Sequence, residues 1–153
     1  NNVVQYFFDS EDDEFSYIAL ELCQTNLKNY IENKDRYMDF NLEKIDILKQ
    51  ITLGLDYLHN NTIKTIIHRD LKPENVLFSF PDKNNKVNVK LSDFGISKLI
   101  HDKKTSYTKT GKSGSYGWIA PEVWEKDKKL NRKIDIFSLG CLFYYVLTDS
   151  SHP

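Results

Sequence analysis

Residues 66–75, "IIHRDLKPEN" from Ile66 to Asn75, set a histidine, an arginine, an aspartate, a lysine and an asparagine around a single proline. Polar side chains at this density, directly behind two isoleucines, describe a site and not a solvated surface. Asp70 and Asn75 stand five positions apart, and "SDFG" supplies a further carboxylate, Asp93, after a predicted strand. "APE", Ala120 to Glu122, closes the loop that follows.

The segments around this stretch predict how it is held. Upstream, Leu42, Ile45, Leu48, Ile51, Leu55 and Leu58 recur at three- and four-residue steps, one apolar stripe on a helix from about Asn41 to Asn60. At 1.5 Å per residue such a helix spans roughly 30 Å, enough to cross a small domain. "NLKNYIEN" carries Leu27, Tyr30 and Ile31 at helical spacing, with Asn26 as the cap. Near the start, "VVQYFF" and "FSYIALELC" read as two strands joined by the exposed acidic turn "DSEDDE". Downstream, "VLFSF" and "VNVKL" form a strand pair around "PDKNNK". Lys98 to Ser115 is poor in apolar residues and is expected to be a mobile loop. "IDIFSLGCLFYYVLT" is apolar on nearly every face, as in a helix buried at a domain centre. Strands come first and helices after, with a loop-borne site between them: an α+β arrangement.

The bulk numbers set limits. At 153 residues the chain suits one domain, and 40% hydrophobic with 28% charged residues is the balance of a soluble globular protein. A net charge of -1 implies no global pull toward nucleic acid or membrane. Cys23 and Cys141 lie apart in apolar runs, so each is read as a buried free thiol in a reducing compartment. "NNVVQYFF" has no signal-peptide character, and the apolar run around Ile134 to Leu147 is too short and too interrupted for a membrane span.

"HRDLKPEN", "SDFG" and "APE", in this order around a loop rich in serine and threonine, resemble the protein-kinase signature. The resemblance implies a partial protein-kinase-like fold: residues 1–20 as the last strands of the N-lobe, 21–25 as the hinge, and 26–153 as the C-lobe through its central buried helix. It implies ATP and Mg²⁺ as cofactors. Phosphoryl transfer is mostly positioning plus charge stabilisation, which gives the residues their expected roles. Asp70 orients or deprotonates the substrate hydroxyl, Lys72 reaches the transferring phosphate, and Asn75 and Asp93 offer hard oxygens to Mg²⁺. Lys72 also favours the Ser/Thr-specific branch. His68 is expected to be structural, packing near Phe94 beneath the loop. Arg69 is expected to pair with a phosphorylated residue of the activation loop. Asp135, an acid in an apolar helix, needs compensating donors and is expected to anchor the catalytic-loop backbone. Glu122 is expected to pair with an arginine beyond Pro153.

A narrower resemblance rests on "YIALELC", "LFSFPDKNNKVNVKLSDFG", "GWIAPEVW" and "IDIFSLGCLFYYVLT" followed by "SHP". Together these are similar to the kinase domain of the inositol-requiring endoplasmic-reticulum stress sensors, dual kinases and endoribonucleases of the unfolded-protein response. That family implies Leu20 as gatekeeper, adenine bound through the backbone of Glu21 and Cys23, and Leu77 as the pocket floor. It implies autophosphorylation on the loop, with Thr105, Ser106, Thr108 and Thr110 as candidates, and Ser115 kept as a structural hydroxyl near Asp70. The expected partners are ATP or ADP and a second copy of the protein, with RNA met only through a ribonuclease domain outside these residues. The expected location of the parent protein is the cytosolic face of the endoplasmic reticulum, without membrane contact by this segment. The chain has no glycine before Gly54 and no lysine before Lys28. The glycine-rich loop and strand lysine of a kinase are therefore expected on a preceding segment. As given, the chain is expected to be inactive and to fold poorly, with its central helix partly uncovered. A nucleotide-sensing pseudokinase module and another Ser/Thr kinase family are the rival readings.

Overall fold

The computed structural model describes residues 2–40, 42–60, 65–80, 86–93, 98–100, 115–125 and 130–153. Helix α2 (Lys44–Asn60) is its spine, burying Ile47, Leu48, Ile51, Leu55 and Leu58. This departs from the expected stripe at one end: Ile45 is 70% exposed, and Ile47 takes its place. At 3.6 residues per turn, Ile47, Ile51, Leu55 and Leu58 share one face, and Ile45 projects well away from Ile47. Gly54 lies on the same buried side, where the chain's first residues cross the helix. A Cβ there would meet the Asn2 carbonyl oxygen at 2.4 Å, so the crossing requires glycine.

Helix α1 (Leu27–Glu32) follows the short strand β3 (Thr25–Asn26) and starts as the sequence predicts. The Asn26 side chain accepts the Asn29 N–H at 2.9 Å, satisfying a free helix-end donor. Strand β5 (Val76–Ser79) lies between β3 and β6 (Asn88–Leu91) in an antiparallel sheet, with Leu77 opposite both Asn26 and Lys90. Val76, Phe78, Val89 and Leu91 are buried at alternate positions, the period of a strand with one face on the core. Tyr30 of α1 stacks on Phe78 with ring centroids 4.5 Å apart, joining sheet and helices in one core.

Two ribbons depart from expectation. In the first, β1 (Tyr6–Glu11) pairs with β2 (Ser16–Leu20), so Asp9, Ser10 and Glu11 extend the strand and do not belong to the turn. Asp12 makes that turn, its carboxylate accepting the N–H groups of Glu14 and Phe15 at 2.9 and 2.8 Å. In the second, β4 (Thr65–Ile67) pairs with β7 (Lys98–Ile100), which places a strand where the sequence predicted the start of a loop. Backbone pairing to β4 overrides the lysine-rich composition there.

Helix α3 (Lys133–Leu147) buries Ile134, Asp135, Ser138, Cys141, Leu142, Tyr145 and Val146. It is not covered all round: Ile136, Phe137, Tyr144 and Leu147 are exposed. Cys141 is buried and free, whereas Cys23 is only half-buried, a correction to its expected burial. Among the described residues no helix is long and apolar enough to cross a membrane.

Candidate active site

The site is built on a buried carboxylate. Asp135 projects from the first turn of α3, is 1% exposed, and has three donors among the described residues. The His68 and Arg69 N–H groups each reach one of its oxygens at 2.9 Å, and His59 Nε2 donates to Oδ2 at 2.7 Å. A carboxyl group this deep needs such donors to offset its lost hydration. Arg69 has a φ of 73°, a left-handed conformation that costs a non-glycine residue about 1–2 kcal/mol. Two adjacent amides aimed at one carboxylate hold that turn in place, and the turn presents Asp70.

The Asp70 carboxylate is enclosed by four donors among the described residues. Ser115 gives Oδ1 its backbone N–H at 2.9 Å and its hydroxyl at 2.8 Å. Lys72 Nζ lies 2.9 Å from Oδ2, and Asn75 Nδ2 donates to the same oxygen at 3.1 Å. Lys72 also donates to the Ser115 hydroxyl at 2.7 Å, so the three side chains close a ring. Burial pushes the Asp70 carboxyl upward, but the hydrogen bonds from Lys72, Ser115 and Asn75 outweigh it and hold the group below its ordinary value.

His68 is fully buried and joins this loop to the next. Its Nδ1 accepts the Asp70 N–H at 3.3 Å, which leaves Nε2 to carry the proton and donate to the Ser92 carbonyl at 2.9 Å. Burial lowers its pKa and keeps the ring neutral, against the opposing pull of Asp135. Ser92 returns its own N–H and hydroxyl to the Asn75 carbonyl at 3.0 and 3.1 Å. Asp93, the next residue, stands at a φ of 63° at the exposed edge of this knot. Asn75 commits Nδ2 to Asp70, so Oδ1 is the atom it can offer a cation. Among the described residues no cluster of three His, Cys, Asp or Glu side chains forms a metal cage. One amide oxygen and one carboxylate are hard but sparse donors, a set that fits Mg²⁺ shared with phosphate oxygens.

On the other side, residues 21–24 link the first ribbon to the sheet. Glu21 N–H donates to the Gln5 carbonyl at 2.8 Å, and Gln24 N–H to the Phe78 carbonyl at 2.9 Å. Leu77 is half-buried on the sheet face away from the core. Leu20, the expected gatekeeper, is 51% exposed, because the described chain packs nothing over that side of the ribbon. Lys90 Nζ lies 2.8 Å from Glu21 Oε2 in a mostly buried ion pair. Glu122 is half-buried in a short 3₁₀ turn, Pro121–Val123. Phe94, Thr105, Ser106, Thr108 and Thr110 lie outside the described residues.

Residues 1–152 match the protein kinase domain model. The chain belongs to the protein kinase family. The kinase is 41% identical over 155 residues to the serine/threonine-protein kinase/endoribonuclease ire-1 of Caenorhabditis elegans, covering 99% of this chain and 16% of that protein. It is 42% identical over 155 residues, with the same coverage, to the serine/threonine-protein kinase/endoribonuclease IRE2 of Homo sapiens. Over 177 residues it is 35% identical to the sensor for unfolded proteins in the ER, ire1, of Schizosaccharomyces pombe, covering 99% of this chain and 16% of that protein. The chain thus spans about 16% of the length of these relatives. A solved structure, that of the yeast RNA Pol II CTD kinase CTDK-1 complex, matches with a TM-score of 0.75. At 22% identity, over 98% of this chain and 46% of that one, it supports the kinase fold alone. The family works in general with ATP and Mg²⁺.

Sequence reasoning missed two residues of this kinase. His59 ends a helix whose periodicity absorbs it as one more buried position, and only its 2.7 Å bond to Asp135 gives it a role. Lys90 sits in an alternating strand as an apparent outward residue, and its partner is 69 positions away.

Proposed function

We propose that the protein transfers the γ-phosphoryl group of ATP to serine or threonine hydroxyls, chiefly on a second copy of itself. We place it in an endoplasmic-reticulum stress sensor of the unfolded-protein response, on the cytosolic face, with RNA cleavage carried by a domain outside these residues. The observation that carries this reading is the ring of Asp70, Lys72, Asn75 and Ser115, held by the Asp135 anchor.

Mg²⁺–ATP, when bound, supplies the transferable phosphoryl group and disperses its charge. Asn75 and Asp93 would hold the ion. Asp70, kept ionised by its donors, orients the incoming hydroxyl and takes its proton as the bond to phosphorus forms. A carboxylate has about four lone-pair sites, and here four donors already occupy them. One donor must therefore give way to the substrate. Lys72 is the one with a second use, because its ammonium can turn from Oδ2 toward the transferring phosphoryl group. Arg69 would receive a phosphate on the loop that carries Thr105, Ser106, Thr108 and Thr110. The backbone of Glu21 and Cys23 would meet adenine over Leu77, with Leu20 beside it.

The test uses the full-length protein. Asp70→Asn and Asp93→Ala should each lower phosphate incorporation at least about a thousandfold, a loss of about 4 kcal/mol in transition-state stabilisation. Unchanged incorporation in either variant would refute the catalytic assignment. ADP–Mg²⁺ binding by calorimetry without any turnover in the wild type would move the reading to a nucleotide-sensing module.

A further inference from the structure

The ion pair between Lys90 and Glu21 lies apart from the phosphoryl-transfer ring. Lys90 sits on β6 directly opposite Leu77 of β5, so both side chains occupy the sheet face turned away from the Val76, Phe78 and Val89 core. That is the face read above as the floor of the nucleotide site. Lys90 is nevertheless only 11% exposed, and its ammonium lies 2.8 Å from Glu21 Oε2. The same oxygen accepts the Gln5 N–H at 3.2 Å, while Glu21 N–H is committed to the Gln5 carbonyl. The Glu21 carboxylate therefore bridges the chain entering the first ribbon and the strand beneath the site. Leu22, beside it, is 80% exposed, so the passage has no packing of its own at that point to fix it.

A buried ion pair carries a desolvation cost, and an apolar residue of similar volume commonly suits such a place equally well. What the pair adds is geometry: a fixed distance from residue 21 to β6, beside the bonds that Asn2 and Val4 of the entering chain make to Val89 and Leu91. We propose that Lys90 is a positioning residue of the nucleotide site, a strut that ties Glu21 to β6 and sets where the backbone of residues 21–23 meets an adenine base. It acts through Glu21 and touches no reacting atom. This inference rests on the nucleotide reading proposed above.

Calorimetry of ADP with Mg²⁺ and steady-state phosphoryl transfer, both on the full-length protein, test it. Lys90→Met should weaken ADP binding about tenfold and raise KM for ATP by a similar factor, while kcat falls less than about threefold. Lys90→Arg, which keeps the cation, should recover most of the affinity. Glu21→Gln preserves volume and removes the partner charge; it should reproduce the Lys90→Met loss and serves if that variant does not fold. ADP affinity within twofold of wild type in both Lys90→Met and Glu21→Gln overturns the strut while leaving the kinase reading intact. Equal losses in kcat and kcat/KM also overturn it, because they would place Lys90 in the chemical step. A wild-type protein that binds no ADP overturns both readings.

Discussion

In the loop from His68 to Asn75, the histidine, aspartate and asparagine side chains are buried, whereas in the β1–β2 ribbon Phe8, Phe15 and Ile18 are 61–66% exposed. The usual partition of polar and apolar groups is reversed between the two regions. In the loop, the buried polar groups bond one another and partners drawn from other elements: Asp135 from α3, Ser92 just past β6, Ser115 from the segment before "APE". The ribbon has backbone pairing between its own two strands, but no apolar layer of the described chain lies across it. Burial therefore follows the supply of partners from elsewhere in the fold and not the hydrophobicity of the residues themselves. Polar groups can be interior when the donors are in place, and aromatic groups remain outside when nothing covers them.

Mutations can break this contrast. The largest expected effect is at Asp135, since Asp135→Ala strands two buried backbone amides and a histidine at once. We expect a loss of about 3–5 kcal/mol in chemical denaturation, the range seen when one partner of a buried charged network is removed. A loss below about 1 kcal/mol would show that the anchor is not what holds the Arg69 turn. His59→Leu removes one of the three donors and keeps the volume, so the expected loss is smaller, about 1–3 kcal/mol. Faster amide exchange at His68 and Arg69 should accompany it, because the Asp135 rotamer is then less restrained.

The pH dependence follows from His68. Burial lowers its folded pKa below the ordinary histidine value, so the unfolded chain binds a proton more readily than the folded one. Its contribution is fully present above the unfolded pKa of about 6.5 and is lost as pH falls from there toward the folded value. Stability should therefore fall as pH drops below about 6.5, and His68→Gln should flatten that part of the profile. The smallest effect belongs to the ribbon. Ile18→Thr should change stability by less than about 0.5 kcal/mol, because the side chain gains little contact on folding. A loss of 1 kcal/mol or more would show that the ribbon is covered in solution, and the contrast with the loop would then disappear.

Much of this arrangement is legible in the chain. The spacing of Asp70, Asn75 and Asp93, the Asn26 cap, the strand pair of β5 and β6 and the helical stripe of α2 follow from local chemistry and periodicity. The errors have physical causes. Ile45 fits a three- and four-residue pattern, but the face a helix buries is chosen by its neighbours. Residues 98–100 look like loop until β4 supplies a partner, and Asp9 to Glu11 look like turn until β2 does. Cys23 lies in an apolar run of the sequence yet is incompletely covered in the fold.

The sequence by itself determined the set of groups we propose for the chemistry, because phosphoryl transfer needs particular donor atoms at short spacing along one loop. Only the tertiary structure decided how those groups are charged and held. Against its burial, Asp70 is held below its ordinary pKa by Lys72 of its own loop and by a serine 45 positions away, and the strained turn before it is pinned by an aspartate 66 positions beyond Arg69. Such pairings have no periodic trace in the chain, since they depend on where α3 and β6 are packed and not on what lies beside them.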